Sequence, residues 1–486
     1  MKKISLCLAL GLFCLAKANA QDKPDWDQTF KQINDEVLQH SQAYQTLKQA
    51  TETIGHRLTG SENGAKAEQL AYDLLHSYGF DDVSFQPFNA ESWSRGSLDF
   101  KIRKGNGVEQ AIKAVSLAHA PMHADVNGEV VDMGSGVESD YIANPGKAKG
   151  KIVLAYLGLL PDVKEGSKNL HRSEKAALAI KYGAKAMILY NTVPGGVLLT
   201  GTASVTGSLI PIPVICIGLE DGLALKDSLA RGSIEAVMKM TNHAGQVTAR
   251  NVIARIKGTT HPEEKIVVGG HLDSWDLATG AIDNGIGSFA VIDMARTLKK
   301  LNLKPSRTLE FVLFMGEEEG LLGSKAYIKQ AIADKSIDQI RYMLNYDMTN
   351  DPRSYGATTD DDRSLFEAIG KKVQAIDPYF QNHFAAHAGL HSDHQPFMLQ
   401  GIPTGGGNEG NLPKDVLNCY HADCDTFNLV DEQGLKNTVR FSAILAYALA
   451  DAPEIASKRL TDEEIKALLI KNNLEEALRI SGDWRW

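Results

Sequence analysis

The chain has 486 residues, 43% of them hydrophobic, and a formal net charge of −9. Single cores stop growing near roughly 250–300 residues, so this length predicts more than one buried core. An acidic chain with no basic cluster is a poor partner for nucleic acid or an anionic membrane surface.

In chain order, Lys2 and Lys3 precede an apolar run from Ile4 to Ala16, and Ala18-Asn19-Ala20 forms a small-residue cleavage site. This is the pattern of a secretory signal peptide at residues 1–20, and it predicts an exported protein, periplasmic or secreted. Cys14 follows Leu12-Phe13, a poor lipoprotein cleavage box, so no lipid anchor is expected. No later segment is apolar for long enough to span a bilayer. Beyond residue 20 the chain carries 48 basic and 60 acidic side chains, a net −12. Three cysteines remain there. Cys216 lies in an apolar run and reads as a buried thiol. Cys419 and Cys424 flank His421, where a short-loop disulfide and two free thiols are both open.

Residues 21–50 show helical spacing at Phe30, Ile33, Val37 and Leu38. Gly64–Tyr78 predicts a helix that Gly79 stops, and Val83–Phe88 a strand. Composition shifts near Pro121. From 121 to 244 the chain is rich in Gly, Val and Ile, with strand-like pieces at Gly128–Met133, Lys151–Leu157, Ala186–Leu189 and Ile212–Ile217, and a helix at Ser173–Tyr182. This reads as an inserted β-rich domain between residues 21–120 and 245–452 of a larger domain. After residue 250, strands at Ile266–Gly270, Leu309–Met315 and Tyr342–Tyr346 alternate with helices at Gly285–Lys300 and Ser324–Ala333. Such alternation predicts an α/β fold with a largely parallel sheet flanked by helices. A tail at 453–486 contains a helix from about Asp462, with Thr461 and Glu464 as its capping box.

Three of these strands end in charged residues: His271-Leu272-Asp273, then Gly316-Glu317-Glu318-Glu319-Gly320, then Asp347. Ligand crevices of open α/β sheets lie at the carboxyl ends of the strands, so these groups are expected to converge. Asp283 opens the helix after the first strand, and His421 arrives on a later loop. Two histidines and three carboxylates, His271, Asp283, Glu318, Asp347 and His421, make a donor set suited to zinc. If Asp283 bridges two ions, each ion has one histidine, one terminal carboxylate and a share of the bridge. Two metals roughly 3.5–4 Å apart clamp the attacking and carbonyl oxygens of a scissile bond, and metal lowers the pKa of water from 15.7 towards about 7. Neighbouring residues at a strand end point in different directions. One of Glu317 and Glu318 can thus bind metal while the other faces the bridging water as general base. Asp273, two residues after His271, suits support of the imidazole by accepting its other N–H.

The stretches GGHLDSWDLATGAIDNGIGS, FMGEEEGLLGS, NYDM and YHADCDT resemble the co-catalytic di-zinc exopeptidases, which include leucine aminopeptidases, glutamate carboxypeptidase and carboxypeptidase Q. The motif Gly55-His56-Arg57-Leu58-Thr59-Gly60-Ser61 also resembles a family motif before the first helix. The likeness covers most of residues 45–450. It implies His271 and Glu318 or Asp347 as terminal ligands, Asp283 as bridge, His421 as the distal histidine, Glu317 as base and Asp273 as support of His271. It implies two Zn2+ ions and a short peptide as substrate. Tyr420 matches a tyrosine that, in the glutamate carboxypeptidase branch, hydrogen-bonds the developing oxyanion; a packing aromatic is the other reading. Residues 121–244 resemble the protease-associated domain of this family. The layout most resembles the carboxypeptidase Q branch and implies a zinc-dependent exopeptidase, an aminopeptidase or dipeptidase.

Two other functions stay open beside it: a glutaminyl-cyclase-type zinc acyltransferase on the same fold, and a metal-free binding relative. The run His387 to Phe397 contains an SDHxPF-like motif that leaves the roles of Asp393 and His394 open. Side-chain preference, which peptide end is recognised, the native metal and the oligomeric state are open too, although relatives often form homodimers.

Overall fold

The structure, a computed structural model, describes residues 25–105, 107–408, 410 and 412–486. The leader read at residues 1–20 lies outside the described residues. No helix among the described residues is long and apolar enough to cross a membrane.

The N-terminal helical spacing resolves into two helices, Trp26–His40 and Ala43–Thr53. The first starts at Asp25, whose carboxylate accepts from the amides of Asp27 and Gln28, as an N-cap should. Phe30, Ile33 and Val37 form its buried face, whereas Leu38 turns outward and is 41% exposed. The third helix, Glu62–Ser77, is capped by Ser61 Oγ, which accepts from Gly64 N at 3.0 Å.

Strand His261–His271 is central to the sheet that positions the site. It pairs in parallel with Arg307–Phe314 on one side and with Ile340–Asn345 on the other. Arg307–Phe314 is buried along its whole length, as expected of a strand covered on both faces. Beyond Ile340–Asn345 the sheet continues through Thr404–Asn408, Ser354–Ala357 and Ala385–Ala386. The main apolar core lies between this sheet and helices that include Trp26–His40, Ile286–Lys300 and Glu432–Asp451. The last of these is buried almost all round, which is why its sequence shows no clear amphipathic stripe.

Val83–Phe88 is the start of a much longer strand, Val83–Lys104, which pairs antiparallel with Ile234–Ile256 along nearly its whole length. This two-stranded ribbon runs from the main sheet, where Leu309–Leu313 pairs with Val252–Ile256, out to the inserted domain. There His123–Asp132 pairs antiparallel with the ribbon and in parallel with Ile152–Tyr156, the first of three parallel strands with Ala186–Tyr190 and Val214–Ile217. Apolar clusters cover both faces of this smaller sheet. Mixed α/β architecture, a largely parallel central sheet and a β-rich insertion are all as expected.

The tail forms helix Asp462–Lys471, with the Thr461–Glu464 capping box in place, and a second helix, Glu475–Ser481, that periodicity did not reveal. Ile465, Leu469 and Leu478 pack with Met398 and Leu399 of the main domain.

Candidate metal centre

Register alone brings the predicted residues together. Phe314 lies opposite His271, and Asn345 lies opposite Gly269, so Glu317, Glu318 and Asp347 emerge beside His271 at one edge of the sheet. Close packing below keeps the edge rigid. A Cβ on Gly270 would stand 2.6 Å from Tyr346 O, and one on Gly287 would stand 2.2 Å from the same oxygen. Asn284 ties the strand ends: Nδ2 donates to Tyr346 O at 2.9 Å and His271 O at 3.3 Å, while Oδ1 accepts from Gly287 N and Met348 N.

Two groups of ligand atoms result, each with its atoms within 4.8 Å of one another: His271, Glu317 and Asp347, and Asp283, Glu318 and His421. Asp283 spans them. Its Oδ1 is 3.3 Å from His271 Nε2 and its Oδ2 is 3.0 Å from His421 Nε2. Asp347 Oδ1 is 3.3 Å from His271 Nε2, and Glu318 Oε2 is 3.0 Å from His421 Nε2. Glu318 Oε2 also accepts from Trp275 Nε1 at 2.6 Å, whereas its Oε1 is buried with no hydrogen-bond partner. A buried carboxylate oxygen without a partner, among this many acids, fits a cation: charge buried without compensation is strongly unfavourable.

The electrostatics agree. Burial pushes Glu317 well above the usual carboxylate range; His271 opposes that, while Asp347, Glu318 and Asp393 reinforce it. Burial also raises Glu318. Burial acts to lower His271, but Glu317, Asp347, Asp273 and Asp283 together hold the imidazolium well above its ordinary value. Asp283 is depressed, because its bonds to the two histidines outweigh burial. Anionic groups thus outnumber the cations that could neutralise them.

The structure places the remaining predicted residues at the same site. His271 Nδ1 lies 3.2 Å from the backbone oxygen of Asp273 and 3.6 Å from its carboxylate. That carboxylate instead accepts from the amides of Glu317 and Glu318 at 3.3 and 3.2 Å, fixing the turn that aims both acids. Tyr420 stacks on His421, with ring centroids 3.9 Å apart, and lines the cavity above the centre. Cys419 and Cys424 form a disulfide that brackets Tyr420 and His421. His421 is held further by the inserted domain: Thr200 N donates to His421 O at 2.9 Å.

Several supporting residues were not read from the sequence. Asp425, within the YHADCDT stretch, accepts from the amides of Ile282 and Asp283 at 2.8 and 3.0 Å and so positions the bridging loop. Arg57 is fully buried and donates to the carbonyls of Leu272, Thr279 and Gly280 at 2.6 to 2.8 Å. It belongs to a motif already noted, yet nothing local says where its guanidinium goes. Asp393 is also fully buried; burial pushes it up to about 7, with Asp273 and Asp347 adding to the rise against the pull of His271. His394 Nε2 bonds Gly389 O at 3.1 Å.

Above the centre is a cavity of 240 Å³. Asp283, Glu317, Glu318, Asp347, Tyr420 and His421 form its floor, Arg172 and Thr202 of the inserted domain one side, and Leu478, Ser481 and Asp483 of the tail another. Arg172 is 6% exposed and its Nε has no partner. Only glycine at 201 leaves room for this guanidinium, since a Cβ there would lie 1.8 Å from Arg172 Nε.

With this geometry in view, similarity to known proteins becomes informative. Residues 251–446 match the family model for Peptidase family M28, and residues 126–225 match the PA domain. A carboxypeptidase Q of Xenopus laevis is 28% identical over 426 residues, covering 85% of this chain and 87% of its own length. The crystal structure of a Peptidase M28 precursor from Shewanella amazonensis shares the fold, with a TM-score of 0.76, 23% identity, and coverage of 90% of this chain and 99% of the other. A zinc aminopeptidase from Bacillus subtilis has a TM-score of 0.62 and 26% identity, covering 86% of this chain and 97% of its own. The chain thus carries a Peptidase family M28 domain at residues 251–446, with a PA domain at residues 126–225 inserted in that fold, and is a metallo-exopeptidase hydrolase.

Proposed function

We propose that the chain is a zinc-dependent exopeptidase that cleaves dipeptides or short peptides, with two Zn2+ ions at the sheet edge and Glu317 as general base. The observation that carries this reading is the spanning position of Asp283 between His271 with Asp347 and His421 with Glu318. In this assignment His271, Asp347 and Asp283 would hold one ion, and His421, Glu318 and Asp283 the second. When bound, zinc supplies Lewis-acid polarisation of the scissile carbonyl and lowers the pKa of water.

The chain's own residues carry the rest. The Glu317 carboxylate takes a proton from the attacking water and returns it to the leaving amine nitrogen, so water is split across the peptide bond. Asp273 aims Glu317 through its amide. Tyr420 O–H donates to the oxygen on which negative charge develops. Arg172, whose Nε has no hydrogen-bond partner, is suited to a free peptide carboxylate, which favours a short substrate with an unblocked carboxyl end. Residues 21–120 and 245–452 form the catalytic domain in this reading, 121–244 the insertion that shapes access, and 453–486 the tail. The leader pattern at residues 1–20 and the Cys419–Cys424 disulfide support export to the periplasm or medium.

One experiment tests the whole. Dipeptides, aminoacyl amides and N-blocked peptides are assayed alongside metal analysis. Hydrolysis abolished by chelator and restored by zinc, at two ions per chain, is expected. Glu317→Gln is expected to lower kcat about 10²–10⁴-fold with the metal content unchanged. A single ion per chain with full peptidase activity in Glu317→Gln would overturn the reading and favour acyl transfer.

A further inference from the structure

Part of the cavity wall comes from the tail, which follows the last of the candidate ligand motifs in sequence and packs against the inserted domain. Leu478, Ser481 and Asp483 line it. The tail is held there from both sides. Arg485 Nη1 donates to Leu399 O at 2.7 Å, and Gln395 Nε2 donates to Asp483 Oδ2 at 3.2 Å. Lys168 of the inserted domain donates to Asn472 O at 3.1 Å, and Ile480 packs against that domain's core. Apolar contacts of Leu478, Trp484 and Trp486 fix it against Met398 and Leu399.

Asp483 is the charged member of this wall. Its hydrogen-bond partners are neutral: Gln395 at 3.2 Å and Ser481 Oγ at 3.5 Å. No basic side chain among the described residues forms an ion pair with it. The nearby Arg485 is paired with Asp462 instead, at 2.6 Å. A carboxylate held in place by a hydrogen bond, facing a cavity and lacking a cation, is a preorganised site for one.

We propose that the tail completes the substrate site and that Asp483 binds a positively charged group of the peptide. The proposal rests on the peptidase reading of the metal centre. It assigns a substrate-selecting role to a segment outside the matched family regions, residues 251–446 and 126–225. The cation has two sources in a peptide, the α-ammonium group or a lysine or arginine side chain.

The test uses the full-length, zinc-loaded protein and four substrates: Leu-Leu, its desamino counterpart 4-methylpentanoyl-Leu, Lys-Leu and Leu-Lys. Each is assayed with the unmodified protein and with Asp483→Asn, Asp483→Glu and Asp483→Gln. The expected result is at least a tenfold fall in the kcat/KM ratio of a cationic substrate to its matched neutral one in Asp483→Asn, mainly through KM. A fall for Leu-Leu against 4-methylpentanoyl-Leu identifies the α-ammonium. A fall for Lys-Leu or Leu-Lys against Leu-Leu identifies the side chain and its position. Asp483→Glu and Asp483→Gln carry the same added methylene, so their comparison isolates charge even where packing shifts. The Glu variant is expected to keep the preference that the Gln variant loses. Equal factors on all four substrates in every variant would overturn the proposal. No hydrolysis of any of them by the unmodified protein would instead overturn the peptidase reading.

Discussion

Burial decides the chemistry of individual side chains here, and His119 shows it most simply. It is fully buried, with Nδ1 2.9 Å from Thr202 Oγ1 and Nε2 without a partner, and burial brings its pKa down to about 4. An unfolded histidine titrates near about 6.5, so the folded state holds the neutral ring. The stability this contributes is complete above pH 6.5 and is lost as pH falls towards 4, because the unfolded chain binds the proton first. Asn tolerates the positive φ at this position and does not titrate. His119→Asn is therefore expected to lose about 2–3 kcal/mol less than the unmodified protein between pH 7 and pH 4.5, measured by urea unfolding at both. Parallel losses in the two proteins would show that other groups set the acid response. Charged residues at the centre follow the same rule with the opposite remedy. Arg57 and the two histidines are buried beside carboxylates rather than neutralised by burial.

Elements differ in how well they announced themselves. Strands ending in His271, Glu317 and Asp347 were visible because continuous apolar runs stop abruptly at acids or histidine. The Val83–Lys104 strand was seen only at its start. Its outer half gains stability from pairing with Ile234–Ile256, a partner more than a hundred residues away that no local window contains. Helix Glu432–Asp451 was missed because it is buried on nearly every face, polar residues such as Asn437 and Arg440 included. The loop carrying His421 was the least legible element, and the Cys419–Cys424 bond is what gives it shape. Closing so short a loop contributes about 2 kcal/mol in the chain-entropy account. A Cys419→Ser, Cys424→Ser double variant is expected to lower unfolding free energy by that order and to retain less zinc after dialysis. Zinc retention equal to that of the unmodified protein would mean the contact with Thr200 alone holds His421 in place.

At the scale of the whole molecule the candidate metal centre is a meeting point. The sheet edge supplies most donors, the inserted domain fixes His421 through Thr200, and the tail closes the cavity. Packing so many acids together is unfavourable without cations, so in the proposed reading stability is expected to depend on metal occupancy. A ligand at 1,000 times its dissociation constant stabilises the folded state by about 4 kcal/mol. Scanning calorimetry is accordingly expected to show a thermal midpoint that falls on chelation and recovers with zinc, but not with magnesium at equal concentration. A midpoint indifferent to chelator would count against metal binding at these residues. By itself the sequence determined the α/β class, the insertion and the strand-end acids and histidine that the fold gathers, because each leaves a local mark: an apolar run, a shift in composition, a charged strand end. Only the tertiary structure decided that Asp273 aims the Glu317 turn through its amides, that Arg57 and Asp425 brace the Asp283 loop, and that Asp483 reaches the cavity. Those contacts join residues far apart in the chain, and nothing in local periodicity or composition encodes where a distant side chain will point.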